Sequence, residues 1–149
     1  MKLKIFTILL LLIFAHNAKS EDLYLRDFNE VIKQEESISN YVYIFERCSG
    51  LFASIGNRFL TSGRSDSKDL GNKMMLMGTE FTMGAVNIAK TQKLNVTIES
   101  SMRKAVSIGK IYSSIMDDNH NRTGNSLGGQ IAKDQSTCIA LYRIIKAKK

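Results

Sequence analysis

Residues 38–59 read ISNYVYIFERCSGLFASIGNRF, and the spacing of their apolar side chains decides the fold. Ile38, Val42, Phe45, Cys48, Phe52, Ile55 and Phe59 fall at steps of three and four, which gathers them along one side of an α-helix. Ser37 or Ser39 stands where an N-cap belongs, and Gly63 where the chain can leave the helix.

The same period recurs on both sides of this stretch. A second helix, beginning near Ser67, carries Leu70, Met74, Met77, Phe81, Ala85 and Ile88. Within it Gly71, Gly78 and Ala85 return every seven residues, a small-residue stripe that lets another helix approach closely. That contact must offset the cost of about 1 kcal/mol for each helix-interior glycine. Thr97 is a cap for a third helix with Ile98, Met102, Ala105, Gly109, Tyr112 and Met116, and the polar run from Asp117 to Asn125 predicts its end. A fourth follows with Leu127, Ile131, Cys138, Leu141, Tyr142 and Ile145, while Leu25, Phe28, Val31 and Ile32 predict a short helix ahead of them all. The chain of 149 residues contains no proline, so the strongest helix breaker is missing. No segment alternates as a strand does. The expected fold is all-α: an antiparallel four-helix bundle with an additional short N-terminal helix.

Residues 1–20 have a different character. Lys2 and Lys4 precede an apolar run from Ile5 to Ala15, and Ala18-Lys19-Ser20 leads into Glu21. This is the layout of a secretory signal peptide, with a positive end, a greasy centre and small residues at the cleavage point. A stretch of eleven residues is too short for a spanning helix, which needs about 20. The expected organisation is a signal peptide over 1–20 and a single helical domain over 21–149. An uncleaved signal anchor, giving a membrane-tethered envelope component, is the alternative.

Export bears on the cysteines. Cys48 and Cys138 are the only two, both on apolar faces, in a chain bound for an oxidising compartment. Each falls near mid-height of its helix, the first and the last of the four, which run side by side in an up-down bundle. The expectation is a disulfide clamping helices 1 and 4, structural and not redox-active, since neither cysteine sits at a helix start.

Charge points to no anionic partner. Residues 1–20 hold Lys2, Lys4 and Lys19 and no acid, which leaves 18 basic against 14 acidic residues in the remainder. Such a mild excess, part of it in the closing Lys146, Lys148 and Lys149, reads as solvated surface. Nucleic acid is not expected as a partner, because no arginine-aromatic cluster is present. A membrane is expected only if the signal is retained.

Candidate chemistry is sparse. His120 is the only histidine after residue 20, in a segment expected to be a loop, which disfavours both a zinc site and a Ser-His-Asp triad. Asp117, Asn119 and Asn121 have the oxygen spacing that opens a calcium loop, but Arg122 and Gly128 occupy the positions that need glycine and glutamate. Met74, Met75, Met77 and Met83 form a dense patch. Copper is not expected there without a histidine or cysteine close by, and core filling accounts for Met74 and Met77. Met75 and Met83 lie off the main stripe, so Met74, Met75, Met77, Phe81 and Met83 are the candidate lining of an apolar groove. Asn95-Val96-Thr97 and Asn121-Arg122-Thr123 satisfy the N-glycosylation triplet, both in expected interhelix segments. Asp134, one turn before Cys138, has Arg47 as a conceivable partner, although a water-exposed rim position is the expectation.

No catalytic residue, metal site or cofactor is indicated. The functional expectation is an exported, periplasmic or secreted, non-enzymatic binding or interaction module for a protein or a small apolar ligand. A small hydrolase with a carboxylate site built from Glu80 or Asp134 is the other alternative.

Overall fold

The computed structural model describes Leu25, residues 27–33 and residues 37–147. The expected signal peptide and the start at Glu21 lie outside the described residues. Among the described residues five helices follow one another: α1 (Phe28–Lys33), α2 (Ile38–Thr61), α3 (Ser65–Thr91), α4 (Ile98–Thr123) and α5 (Gln130–Ala147). The described residues contain no strand, and the all-α bundle with a short leading helix is the observed architecture.

Short connections make the four long helices run alternately up and down. Ser37 occupies the N-cap of α2 without a side-chain hydrogen bond, and Gly63, at φ 74°, turns the chain just beyond its end. Thr97 caps α4 through a capping box: its hydroxyl accepts from the Ser100 amide, and the Ser100 hydroxyl accepts from the Thr97 amide.

Two boundaries differ from the sequence expectation: α5 begins only at Gln130, so Leu127, expected on that helix, lies in the connecting turn, and α4 ends later than expected. The polar run from Asp117 does not end α4, which continues for two further turns to Thr123 and stops only at Gly124, left-handed at φ 72°. Polarity here marks a solvated face, not a break. Asp117 is held by Arg58 of α2, whose Nη1 donates to Oδ1 at 2.7 Å. Asn119 is buried and donates from Nδ2 to the Gly128 carbonyl at 3.0 Å, which fixes the α4–α5 connection. His120 and Asn121 therefore lie on a helix and not in a loop, and so does the second glycosylation triplet. Asp117 and Asn121, one turn apart, share an exposed face of α4, whereas Asn119 is turned to the buried side, so the three do not converge on a cation.

The packing has a hub. α2 touches all four other helices, with its closest approaches to α3 and α4. Glycine allows this. A Cβ on Gly50 would lie 2.6 Å from the Ala105 carbonyl oxygen, and one on Gly56 would lie 2.9 Å from the Gly71 carbonyl oxygen. Gly71, Gly78 and Ala85 of α3 are buried, Gly71 and Gly78 directly against α2. Phe52, Ile55, Leu51 and Phe81 form the centre of the core, with Phe81 between Phe45 and Phe52 at centroid distances of 5.4 and 5.8 Å. Leu25, Phe28 and Val31 close the core at the N-terminal side, whereas Ile32, expected on the inner face, is exposed.

Cys48 and Cys138 are bonded, with Cα atoms 5.5 Å apart, and both are fully buried. The bridge joins α2 to α5 across 90 residues. It ties the last helix to the hub.

Candidate functional site

The groove residues expected from the sequence divide into two sets. Phe81 is wholly buried, and Met74 and Met77 pack against the same core, so these three fill the interior. Met75 and Met83 project the other way, 40% and 42% exposed, over the crevice between α3 and α4. The opposite wall is Ile98, Met102 and Val106, a row of apolar residues at every fourth position of α4. The floor is Ser49 and Ala53 of α2 with Gly78 of α3. Together they enclose about 220 Å³ in an open groove.

The groove follows from side-chain size. α2 has drawn in close to α3 and α4 through glycine, and at Ser49, Ala53 and Gly78 it meets them with small groups that leave no bulk to fill the crevice. The floor's polar atoms are satisfied internally: the hydroxyls of Ser49 and Thr82 lie 2.7 Å apart, both buried. What the groove offers to solvent is therefore almost entirely apolar. Sequence reasoning found Met75 and Met83 but assigned Ile98 and Met102 to the inner face of α4. The available signal was a second apolar row. Each step of four residues advances 40° around a helix, so Ile98, Met102 and Val106 drift off the face that Ala105, Ile108, Gly109 and Tyr112 bury.

A second cluster lies across α2 from the groove. Arg47 is completely buried; its Nε donates to the Tyr112 hydroxyl at 2.8 Å and its Nη2 to Asp134 Oδ2 at 2.6 Å. Tyr112 donates to the same Oδ2 at 2.5 Å. Asp134 is 4% exposed, so the expected rim position gives way to the interior pairing. The reason is the full burial of Arg47, which demands a counter-charge. Phe28 of α1 lies over the guanidinium at 4.4 Å from its centroid. Burial and the adjoining carboxylate hold the Tyr112 phenol far above its ordinary range, so it stays protonated and acts as a donor.

The cluster binds the fold and is poorly placed for catalysis. Arg47 and Tyr112 have no exposed surface. Glu80, the other carboxylate considered for a hydrolase, is engaged by Lys146 of α5 at 2.6 Å, so the two acids sit in separate ion pairs and do not meet. Among the described residues no group of three or more His, Cys, Asp or Glu side chains is placed to hold a metal ion.

Glu46, adjacent to Arg47, is a further buried polar group, one that the sequence reading did not single out. It is 8% exposed, and burial raises its carboxyl above the ordinary range, opposed by Ser101 and by the charge of Lys104. The Ser101 hydroxyl, wholly buried beside it, completes no hydrogen bond of ordinary geometry.

No family model matches the chain, and no curated protein or solved structure is significantly similar to it. No described helix is long and apolar enough to cross a membrane.

Proposed function

We propose that the chain is an exported, non-enzymatic binding module whose α3–α4 groove receives an apolar group. The observation that carries this reading is a solvent-open crevice of about 220 Å³ with apolar walls and a floor of small side chains. Apolar concavities with few polar groups are where small ligands and partner side chains are commonly received, and this groove has that character. Methionine suits the role, because its unbranched, polarizable side chain adapts to whatever shape arrives.

Export is supported by the layout of residues 1–20 and by the bonded cysteines, which fit an oxidising compartment. Intact mass of the protein recovered from a secreting host tests it: a chain beginning at Glu21 with no alkylatable thiol is expected, and a full-length chain with two free thiols would overturn the export reading. The groove is tested with N-phenyl-1-naphthylamine, which fluoresces in apolar surroundings. Saturable enhancement that is lost in Thr79→Phe, a substitution filling the groove from its α3 wall, is the expected result. Equal enhancement in both proteins would place the apolar site elsewhere.

A further inference from the structure

The groove is the centre of a larger apolar face. Leu76 is 65% exposed, Val106 58%, Met102 53% and Ile98 46%, and together with Met75 and Met83 they cover the adjoining flanks of α3 and α4. By helical rotation Lys68 and Lys90 share that flank of α3 with Met75 and Met83, and Lys110 continues the four-residue row of Met102 and Val106 on α4. Because the helices are antiparallel, Lys68 and Lys110 stand at one end of the apolar band, and Lys90 stands at the other with Lys93 of the connecting segment. All four lysines are exposed, and among the described residues none of them belongs to an ion pair. Two acids lie beside the band: Glu99, which is paired with Arg103, and the exposed Asp69, which precedes Leu76 by two turns next to Lys68.

We propose that this face docks on an anionic lipid bilayer, with the apolar band at the level of the headgroups and the four lysines against lipid phosphates. The proposal rests on the reading of the same groove as a binding site and names its partner. Two features favour a lipid surface over a second copy of the chain. The lysines at both ends of the band would meet like charge in a twofold pairing, but opposite charge on an anionic leaflet. The band consists of six partly exposed apolar side chains, far short of the roughly 20–30 residues per partner in a standard protein interface. Contact of this kind needs no spanning segment. An amphipathic face held by partial insertion and basic residues suffices.

The test is flotation of the protein, recovered after export from a secreting host, with vesicles of phosphatidylcholine containing about one third phosphatidylglycerol. Binding is expected there and should fall by about tenfold in pure phosphatidylcholine or in high salt, since screening removes the lysine contribution. The double variant Leu76→Asp with Val106→Asp should lose binding with an unchanged helical circular dichroism spectrum, because both side chains are already exposed. Absence of binding to anionic vesicles, equal binding to neutral ones, or binding that survives the double variant would each overturn the proposal. So would a concentration-dependent dimer that this variant abolishes in place of vesicle binding. Uptake of N-phenyl-1-naphthylamine without vesicle binding would overturn the lipid assignment and leave the groove reading standing; loss of both would remove the two together.

Discussion

Arg47 donates to Asp134 at 2.6 Å, and these two residues stand one position before Cys48 and one turn before Cys138, so the ion pair and the disulfide join the same two helices at the same height. Tyr112 completes the set from α4. Three helices are thereby tied at one level, on the opposite side of α2 from the groove. The rigid side of the molecule is separate from the side that exposes adaptable methionine, which leaves the groove free to fit a partner without disturbing the clamp.

Removing one member of the buried pair should cost far more than removing both. Asp134→Leu leaves a fully buried guanidinium without its counter-charge, and a loss of about 3–5 kcal/mol is expected in urea denaturation. Arg47→Met combined with Asp134→Leu should recover a large part of that. A double-mutant cycle reads the coupling, and a pair that behaves additively would refute it.

The bridge across 90 residues should contribute about 4 kcal/mol by restricting the unfolded chain. The double variant Cys48→Ala with Cys138→Ala is expected to keep its helical spectrum and to lower the urea midpoint by a corresponding amount. In the unaltered protein the bond should resist mild reductant until denaturant is added, because both sulfur-bearing side chains are fully buried.

Gly50→Ala tests the hub. Its Cβ would stand 2.6 Å from the Ala105 carbonyl and 3.0 Å from the Gly109 amide, both backbone atoms that cannot yield without parting α2 from α4. Overpacking of this kind costs about 1–3 kcal/mol, and a thermal melt should show the loss. Gly128→Ala, where the nearest heavy atom would be 3.5 Å away, should be tolerated.

Glu46 gives a pH dependence of definite sign. Its folded-state carboxyl lies above the ordinary value of 4.5, so between the two values the folded protein binds more protons than the unfolded chain. This contribution to stability is therefore greatest below pH 4.5 and diminishes as the pH rises through the folded-state value. Glu46→Gln removes the buried charge and should stabilise the protein at neutral pH while flattening that slope. Denaturation midpoints measured across the acid range check both effects. A variant less stable than the parent at neutral pH would show that the charge of Lys104 outweighs burial.

Helix number, order and the pairing of the cysteines were legible in the sequence, because a period of three and four in a chain without proline leaves few alternatives. Composition misled at two places. Asp117 to Thr123 looked like a turn because Asp and Asn favour turns, yet that propensity is weak, and Arg58 and Gly128 supplied tertiary partners that kept the segment helical. Met74, Met77 and Phe81 lie on the inward stripe by period, and only their nearness in sequence to Met75 and Met83 suggests a place in the groove lining. A helix turns 100° per residue, and that rotation sends them to the opposite side.

The sequence by itself determined the number and order of the helices, and it brought Cys48 and Cys138 to one level, since both follow from local period and chain direction. Only the tertiary structure decided that α2 is the hub, that Arg47, Tyr112 and Asp134 meet in its shadow, and that a groove opens between α3 and α4. Those outcomes depend on how closely backbones approach at Gly50, Gly56 and Gly78. Close approach is set by the shapes of two surfaces together, and no single stretch of sequence contains both.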